Sequence, residues 1–526
     1  MFYNNPIYNF LLDRKSSAEI LFIPESLWVG NPDNGKKIVD GFMNFNGESI
    51  VFDKQTWKKN KGSRSWNEEL FCFDWIKDVK ALGTNKARIF LRDNIREWLR
   101  LKNRWDPFSW ETKILSKRLC FLMSNMSFFY ETADESFQKK FVKSLNKQAI
   151  HLMNVFKKKK LGSEKIFTAK AIIIAALSFK NLSSKLKIGI KLLIDTLNSD
   201  IMEDGMHYLR SPSEQFIFLQ SLIDIKNYLG TSKIEIPKEL NENIYRMAST
   251  LKFFKIANGE LAIFNKFQYV ENYQVNEVLK RSNSKLKTPN TLKSSGFQRI
   301  NENRLTLIMD CGTPSIEKTH ASSLSFELSH GNEKIVVNCG SPFVSNKELN
   351  EAMRSTAAHS TVSIDNINSS DIFFEKNTTT RLAKVWSEKL ERDNNFWINS
   401  AHTGYKDLFG LIHNRKIHID SKNLIIRGQD YFSRPTKSYN LTPKKLFLRF
   451  HIHPDVKLSA TTSKKKVVLK LKNNLGWEFI CSEPKIEINE GIYFGEKKLK
   501  KNNHHILISE KVVPDKKIKW LFRMIK

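Results

Sequence analysis

Residues 320–342 read HASSLSFELSHGNEKIVVNCGSP, and residues 354–366 read RSTAAHSTVSIDN. Leu324, Phe326 and Leu328 alternate with Ser323, Ser325 and Glu327, the two-residue period of a strand with one face in a core. His320 stands at the start of that strand. The Gly340-Ser341-Pro342 turn then carries the chain toward Arg354 and His359, at the mouth of the next strand. Two imidazoles and a guanidinium gathered at strand ends suit a carboxylate or a metal.

The same period continues in both directions from this stretch. Runs at 305–309, 334–338, 361–365, 396–400, 415–419, 424–429, 446–453, 467–471 and 476–481 are β-branched or aromatic and separated by turn residues. With no helical period between them, they predict an antiparallel sandwich over 304–526. Upstream, over 66–279, the period is helical. Ile89, Phe90, Ile95, Trp98 and Leu99 form one broad stripe, and further helices are expected over 110–130, 135–157, 164–179, 184–197, 213–229 and 238–254. Residues 280–303 are polar, basic and aperiodic and read as a linker, and residues 1–65 read as a short β-rich preface. Residues 30–37, GNPDNGKK, approach a phosphate-binding loop but place Lys37 where the hydroxyl must be, so a surface turn is expected.

A chain of 526 residues exceeds one ordinary core, and 40% hydrophobic with 11% aromatic residues exclude a disordered chain. The net charge of +31, from 86 basic and 55 acidic residues, would attract a polyanion. Lysine spread over every solvated face accounts for it equally well, and no nucleic-acid recognition motif accompanies the charge. Five scattered cysteines, Cys72, Cys120, Cys311, Cys339 and Cys481, are odd in number and form no CxxC pair, so a disulfide framework is not expected. No uncharged run is long enough to span a bilayer, and residues 1–24 do not read as a secretory signal. HExxH, GxSxG and GxGxxG are absent, which removes zincin, serine-hydrolase and dinucleotide readings. Nothing in the sequence speaks to oligomeric state.

The opening stretch resembles the C-terminal signature of heparinase II/III-type polysaccharide lyases. His320-Ala321, Leu324-Ser-Phe-Glu327, Asn338-Cys-Gly340, Arg354-Ser-Thr356 and His359-Ser-Thr361 fall in that family's order. Segments 410–415 and 449–454 also suit such a sandwich. Phe73-Asp74-Trp75, Asp204-Gly205 and Arg210-Ser211-Pro212 are similar to landmarks of the helical toroid that precedes it. The resemblance implies a multidomain fold, an N-terminal (α/α) toroid followed by an antiparallel β-sandwich with a cleft where they meet. It also implies β-elimination on a uronate-containing acidic polysaccharide, and a cell-envelope or periplasmic location. With no recognisable export signal, a cytoplasmic location stays open.

Such elimination needs a group to neutralise the uronate carboxylate, a base and a proton donor. Carried over by the resemblance, Tyr208 and His207 are the expected proton-transfer groups, with Lys318 or Arg354 as neutraliser. Arg210, Arg354 and His359 are expected to bind substrate. Aligning on Ser-Pro instead puts Glu214 or Gln215 at the tyrosine position. His320 and His359 match zinc-type positions, but Asn338 replaces the usual aspartate, Ser322 follows His-Ala where the family has Asp, and Lys318 replaces the motif's first histidine. Zinc is therefore an open expectation. The alternative carried forward is a catalytically inactive glycan-binding or envelope-assembly protein on the same fold.

Overall fold

The computed structural model describes residues 2–53, 56–58, 61–158, 161–162, 164–315, 320–342, 346–372, 381–435, 440–461, 465–496 and 500–525. The chain divides into two compact units. One comprises Met1–Ile201, Phe218–Ile244 and Phe343–Ser345; the other comprises Met202–Ile217, Tyr245–Pro342 and Asn346–Lys526.

The first unit is helical. Glu135–Val155, Lys165–Ser178 and Leu186–Asp200 follow the expected spans to within about three residues, Asn85–Lys102 carries the Ile89–Leu99 stripe, and Thr112–Asn125 ends short of the expected 130. Thr84 and Asp134 cap their helices through side-chain oxygens at Ala87 N and Phe137 N. The helix Lys165–Ser178 (KIFTAKAIIIAALS) is buried on almost all sides. Its one interior cation, Lys170, pairs with buried Asp224, which also accepts from Trp28 Nε1 at 2.8 Å.

The N-terminal region corrects two expectations. Residues 1–65 are not mainly β. They hold the helices Pro6–Lys15 and Pro32–Val39 and a single hairpin, β1 (Phe42–Phe45) with β2 (Glu48–Val51). The expected surface turn at residues 30–37 is instead the start of a helix. Asn31 Oδ1 accepts from Asp33 N and Asn34 N, and Pro32 sits in the first turn, where its missing N–H costs nothing. A Cβ at Gly35 would lie 2.1 Å from the Asp78 carbonyl oxygen. These glycines allow close backbone packing and do not form a phosphate cradle.

The second unit is built on two antiparallel sheets. Its strands are β3 (Thr291–Leu292), β4 (Phe297–Glu302), β5 (Leu305–Asp310), β6 (Phe326–His330), β7 (Glu333–Val337), β8 (Val362–Ile364), β9 (Val385–Arg392), β10 (Asn395–Tyr405), β11 (Leu411–Asp420) and β12 (Ile425–Ser433). They continue with β13 (Lys445–Ile452), β14 (Lys457–Ala460), β15 (Lys466–Lys470), β16 (Gly476–Cys481), β17 (Glu487–Tyr493), β18 (Lys501–Lys511) and β19 (Ile518–Met524). One sheet runs β17-β18-β13-β7-β6-β5-β4-β3, with β8 added beside β13; the other runs β14-β15-β16-β19-β12-β11-β10-β9. Their inner faces share one core, in which Phe326 stacks on Trp520 at 5.7 Å and Phe450 meets Phe522 edge-on at 5.5 Å.

Residues 280–303, expected as linker, contain β3 and β4. In β4, Phe297-Gln-Arg-Ile300 is buried, and the strand pairs along the whole of β5. Arg299 explains why a charged residue is tolerated there: its guanidinium bonds the terminal carbonyls of the helix Lys238–Phe254 at Lys252 and Phe253, and that of Lys255. Two short helices, Lys347–Arg354 and Lys406–Phe409, interrupt a region read as strands alone.

Candidate functional site

In the second unit the loop before β6 and the loop before β8 bring His320 and His359 together. Both are buried, and His320 Nδ1 lies 3.1 Å from His359 Nε2. His359 Nδ1 faces the Ser355 carbonyl at 2.7 Å, and a carbonyl only accepts. His359 therefore carries its proton on Nδ1, and His320 donates from Nδ1 to His359 Nε2. Burial pushes both imidazoles down, His359 to about 4. His320 is lowered further by His359 and by the positive charges of Arg354 and Lys266. The pair is neutral at physiological pH and sits in a positive field.

Three sets of bonds hold these loops. Ala321 N donates to the Arg354 carbonyl at 2.9 Å. Ser322 Oγ donates to Asp310 at 3.0 Å, and Thr361 Oγ1 to the Ser323 carbonyl at 2.9 Å. Arg415 on β11 sits across the core with no exposed surface, and its Nη1 donates to the carbonyls of Leu324 and Ser360, both at 2.8 Å. Leu324 is a left-handed residue (φ 62°), a conformation costly for a bulky side chain, so these bonds hold a strained turn.

Arg415 is held in turn by Asp430 on β12, through Nε at 2.8 Å and Nη2 at 3.2 Å. Trp520 Nε1 and His413 Nε2 complete the carboxylate's partners at 2.8 and 2.7 Å. Burial alone would raise the Asp430 carboxyl, but Arg415 and His413 hold it well below the usual carboxylate range. His402 bonds His413 at 3.1 Å and accepts from Gly404 N, closing a fully satisfied buried chain.

The other expected site residues fare differently. Arg210 does not face solvent: it is 3% exposed, left-handed (φ 54°), ion-paired with buried Asp310, bonded through Nε to the Ser295 carbonyl, and set over the Phe297 ring at 4.7 Å. A guanidinium with these partners is a packing element, not a substrate ligand. His207 is buried, its Nδ1 accepting from Leu209 N, with half-buried Tyr208 against its ring at 4.7 Å. Gln215 braces this loop through His207 N, the Gly205 carbonyl and the Met247 carbonyl, which gives it a structural task. Glu214 is half-buried. Lys318 lies outside the described residues.

The zinc expectation does not fit. Zinc needs three or four nitrogen, sulfur or carboxylate ligands. Asn338 spends both ends of its amide on backbone, donating to the Ile263 carbonyl at 2.9 Å and accepting from Ser360 N at 3.2 Å. Among the described residues no histidine, cysteine or carboxylate joins His320 and His359 as a third ligand; the one group of three with that spacing is His453, Asp455 and Glu496. In that group His453 Nε2 bonds Glu496 at 2.8 Å and Lys501 caps the same carboxylate, so it reads as a closed ion-pair network.

Sequence reasoning missed Lys266 and the Arg415–Asp430 pair. Lys266 is a single lysine in an irregular segment and gives no signal. Arg415 did leave one, a charged residue at an inward-facing position of an alternating strand (Leu411, His413, Arg415, Ile417, Ile419).

Residues 56–288 match the family described as heparinase II/III N-terminus, and residues 284–521 match heparinase II/III-like, C-terminal. Heparinase III superposes with a TM-score of 0.75 and 15% identity, over 100% of this chain and 90% of that one. A mutant of the heparan sulfate lyase HepC from Pedobacter heparinus gives 0.65 and 15%, over 94% and 82%. These likenesses define the class, a helical toroid followed by an antiparallel sandwich on the polysaccharide-lyase plan. The chain belongs to the heparinase II/III-like family and is a divergent member of it. A curated relative, FtsZ-localized protein C of Caulobacter vibrioides, is 26% identical over 515 residues, 93% of this chain and 88% of that protein.

Proposed function

We propose that the protein acts on an acidic, uronate-containing polysaccharide by β-elimination, with Arg354 and Lys266 receiving the uronate carboxylate beside the His320–His359 pair. The observation that carries this reading is the hydrogen-bonded, neutral His320–His359 pair in the positive field of Arg354 and Lys266. Both N–H groups of the neutral pair are committed, His320 Nδ1 to His359 and His359 Nδ1 to Ser355, and a carboxylate only accepts, so Arg354 and Lys266 take the carboxylate while the remaining His320 Nε2 accepts from a sugar hydroxyl. Proton removal and return fall to Tyr208, with His207 beside it.

A second reading is a non-catalytic glycan-binding protein of the cell envelope. Two observations favour it: Asn338 stands where the family has a metal-binding aspartate and is locked to backbone, and the relative's name links it to FtsZ localisation. Incubating the purified protein with heparan sulfate, polygalacturonate and hyaluronan, and following the ultraviolet absorbance of unsaturated uronate, separates the two. An absorbing product supports elimination. Saturable binding without product on any polymer supports the second reading and refutes the first.

A further inference from the structure

The outer face of the β9–β12 and β19 sheet is a solvent-facing platform that neither the family match nor the His320 cluster accounts for. Ile398, Ile417 and Ile426 point into the core, so the alternate positions point away from it. Register aligns those positions in rows across the strands. One row runs Leu390, Trp397, His418, Arg427. Trp397 stacks on His418 at 5.0 Å, and His418 Nε2 is pinned to Asn395 Oδ1 at 2.8 Å, so the aromatic pair is rigid before anything binds.

The next row is polar and basic, Asn399, Lys416, Gln429, Lys519, with Glu388 at its edge. Beyond it come Trp386 on β9, 50% exposed, and Tyr431 on β12, with the Lys517 ammonium 6.0 Å from its ring. Lys416 and Lys519 are exposed and, among the described residues, unpaired, while exposed Arg427 acts through its charge on the Asp420 carboxylate of the same strand pair. Glu478, a nearby acid in the same sheet, is already neutralised by Arg523 and Lys466.

We infer that this face is a second binding site, for an acidic polysaccharide chain laid across the strands. Aromatic rings flanking a row of amides and ammoniums match that ligand's chemistry. Sugar C–H faces pack on Trp386, Trp397 and Tyr431, hydroxyls bond Asn399 and Gln429, and carboxylates or sulfates meet Lys416, Arg427 and Lys519. The face thus offers charge complementary to a polyanion without the deep enclosure that catalysis needs. The inference takes its ligand class from the function proposed above but not its residues, so the two can fail separately.

The test uses the full chain and measures binding to heparin and to polygalacturonate, with neutral dextran and oligo(dT) as comparators. The variants are Trp386→Ala, Lys416→Glu with Lys519→Glu, and His359→Ala. Trp386, Lys416 and Lys519 are exposed, so these changes leave the core intact. Affinity for the acidic polymers should fall about tenfold or more in each face variant and show steep salt dependence, while neutral dextran stays unbound. Face variants that bind like wild type overturn the inference, as does oligo(dT) binding tighter than heparin at the same residues. If face variants lose affinity although wild type forms no unsaturated product, the elimination reading falls and the face stands. If only His359→Ala loses affinity, the face falls and the cluster stands.

Discussion

Replacing Arg415 with methionine tests whether the buried pair across the sandwich core holds the His320 and His359 loops. The side chain is fully buried and makes four hydrogen bonds, two to Asp430 and one each to the carbonyls of Leu324 and Ser360. Its removal leaves a buried carboxylate with only His413 and Trp520 as donors, and two carbonyls without Arg415 as donor. Breaking a buried pair in this way costs about 3–5 kcal/mol. Asp430→Leu alone should cost a similar amount by stranding the guanidinium. The double variant should lose less than the sum, with a coupling of about 2 kcal/mol. Urea titrations read by hydrogen exchange in β11 and β12 peptides keep the helical unit's transition out of the measurement. Exchange should also rise at residues 320–324 and 359–361, because the left-handed Leu324 turn loses its anchor. A loss under about 1 kcal/mol, or strictly additive effects, would refute the reasoning.

Four further outcomes follow from the same structure. Arg210→Ala should lower stability by about 3–5 kcal/mol by stranding Asp310, and a variant of wild-type stability with weakened polysaccharide binding would return Arg210 to the substrate. His359 is depressed to about 4 from an ordinary value of about 6.5, so its contribution is complete above the higher value and lost as pH falls toward the lower. Thermal melts of wild type and His359→Gln should therefore diverge less at pH 4.5 than at pH 7. Glu327 has the opposite sign. Burial outweighs Lys334 and the Asn338 and Ile263 N–H groups and raises it to about 7, so its stabilising effect fades as pH rises from about 4.5 to 7, and Glu327→Gln should flatten that limb of the stability curve. Tyr208→Phe should abolish turnover while leaving polysaccharide affinity within about twofold, and unchanged rates would remove Tyr208 from the chemistry.

The sandwich was legible because its inward residues alternate so regularly: the burial of β11 and β12 switches at nearly every residue, as their sequences do. The helices were legible from their stripes, with the helix Lys238–Phe254 expected at its observed ends. Residues whose structural role depends on distant partners were not legible. β4 hides among lysines and serines because the buried Arg299 is hydrogen-bonded by helix-end carbonyls that local sequence does not reveal. Pro32–Val39 was obscured by glycines whose purpose is contact with Asp78. The closeness of His320 and His359 was legible because their loops carry short motifs. Arg210 was misassigned because an arginine beside Ser-Pro looks the same in sequence whether its guanidinium meets solvent or Asp310, 100 residues away. Lys266 lies in a segment without period or motif, and only the fold brings its charge to bear on His320.

The most direct measurement sets progress curves of wild type beside those of Arg354→Gln combined with Lys266→Gln, on the acidic polymer that binds best, followed by ultraviolet absorbance of unsaturated uronate. The account predicts absorbing product from wild type and a fall in kcat/KM of about a hundredfold or more in the variant, with the fold intact, because the carboxylate's charge is no longer offset. Saturable binding with no absorbing product from wild type, or equal rates in both proteins, would contradict it.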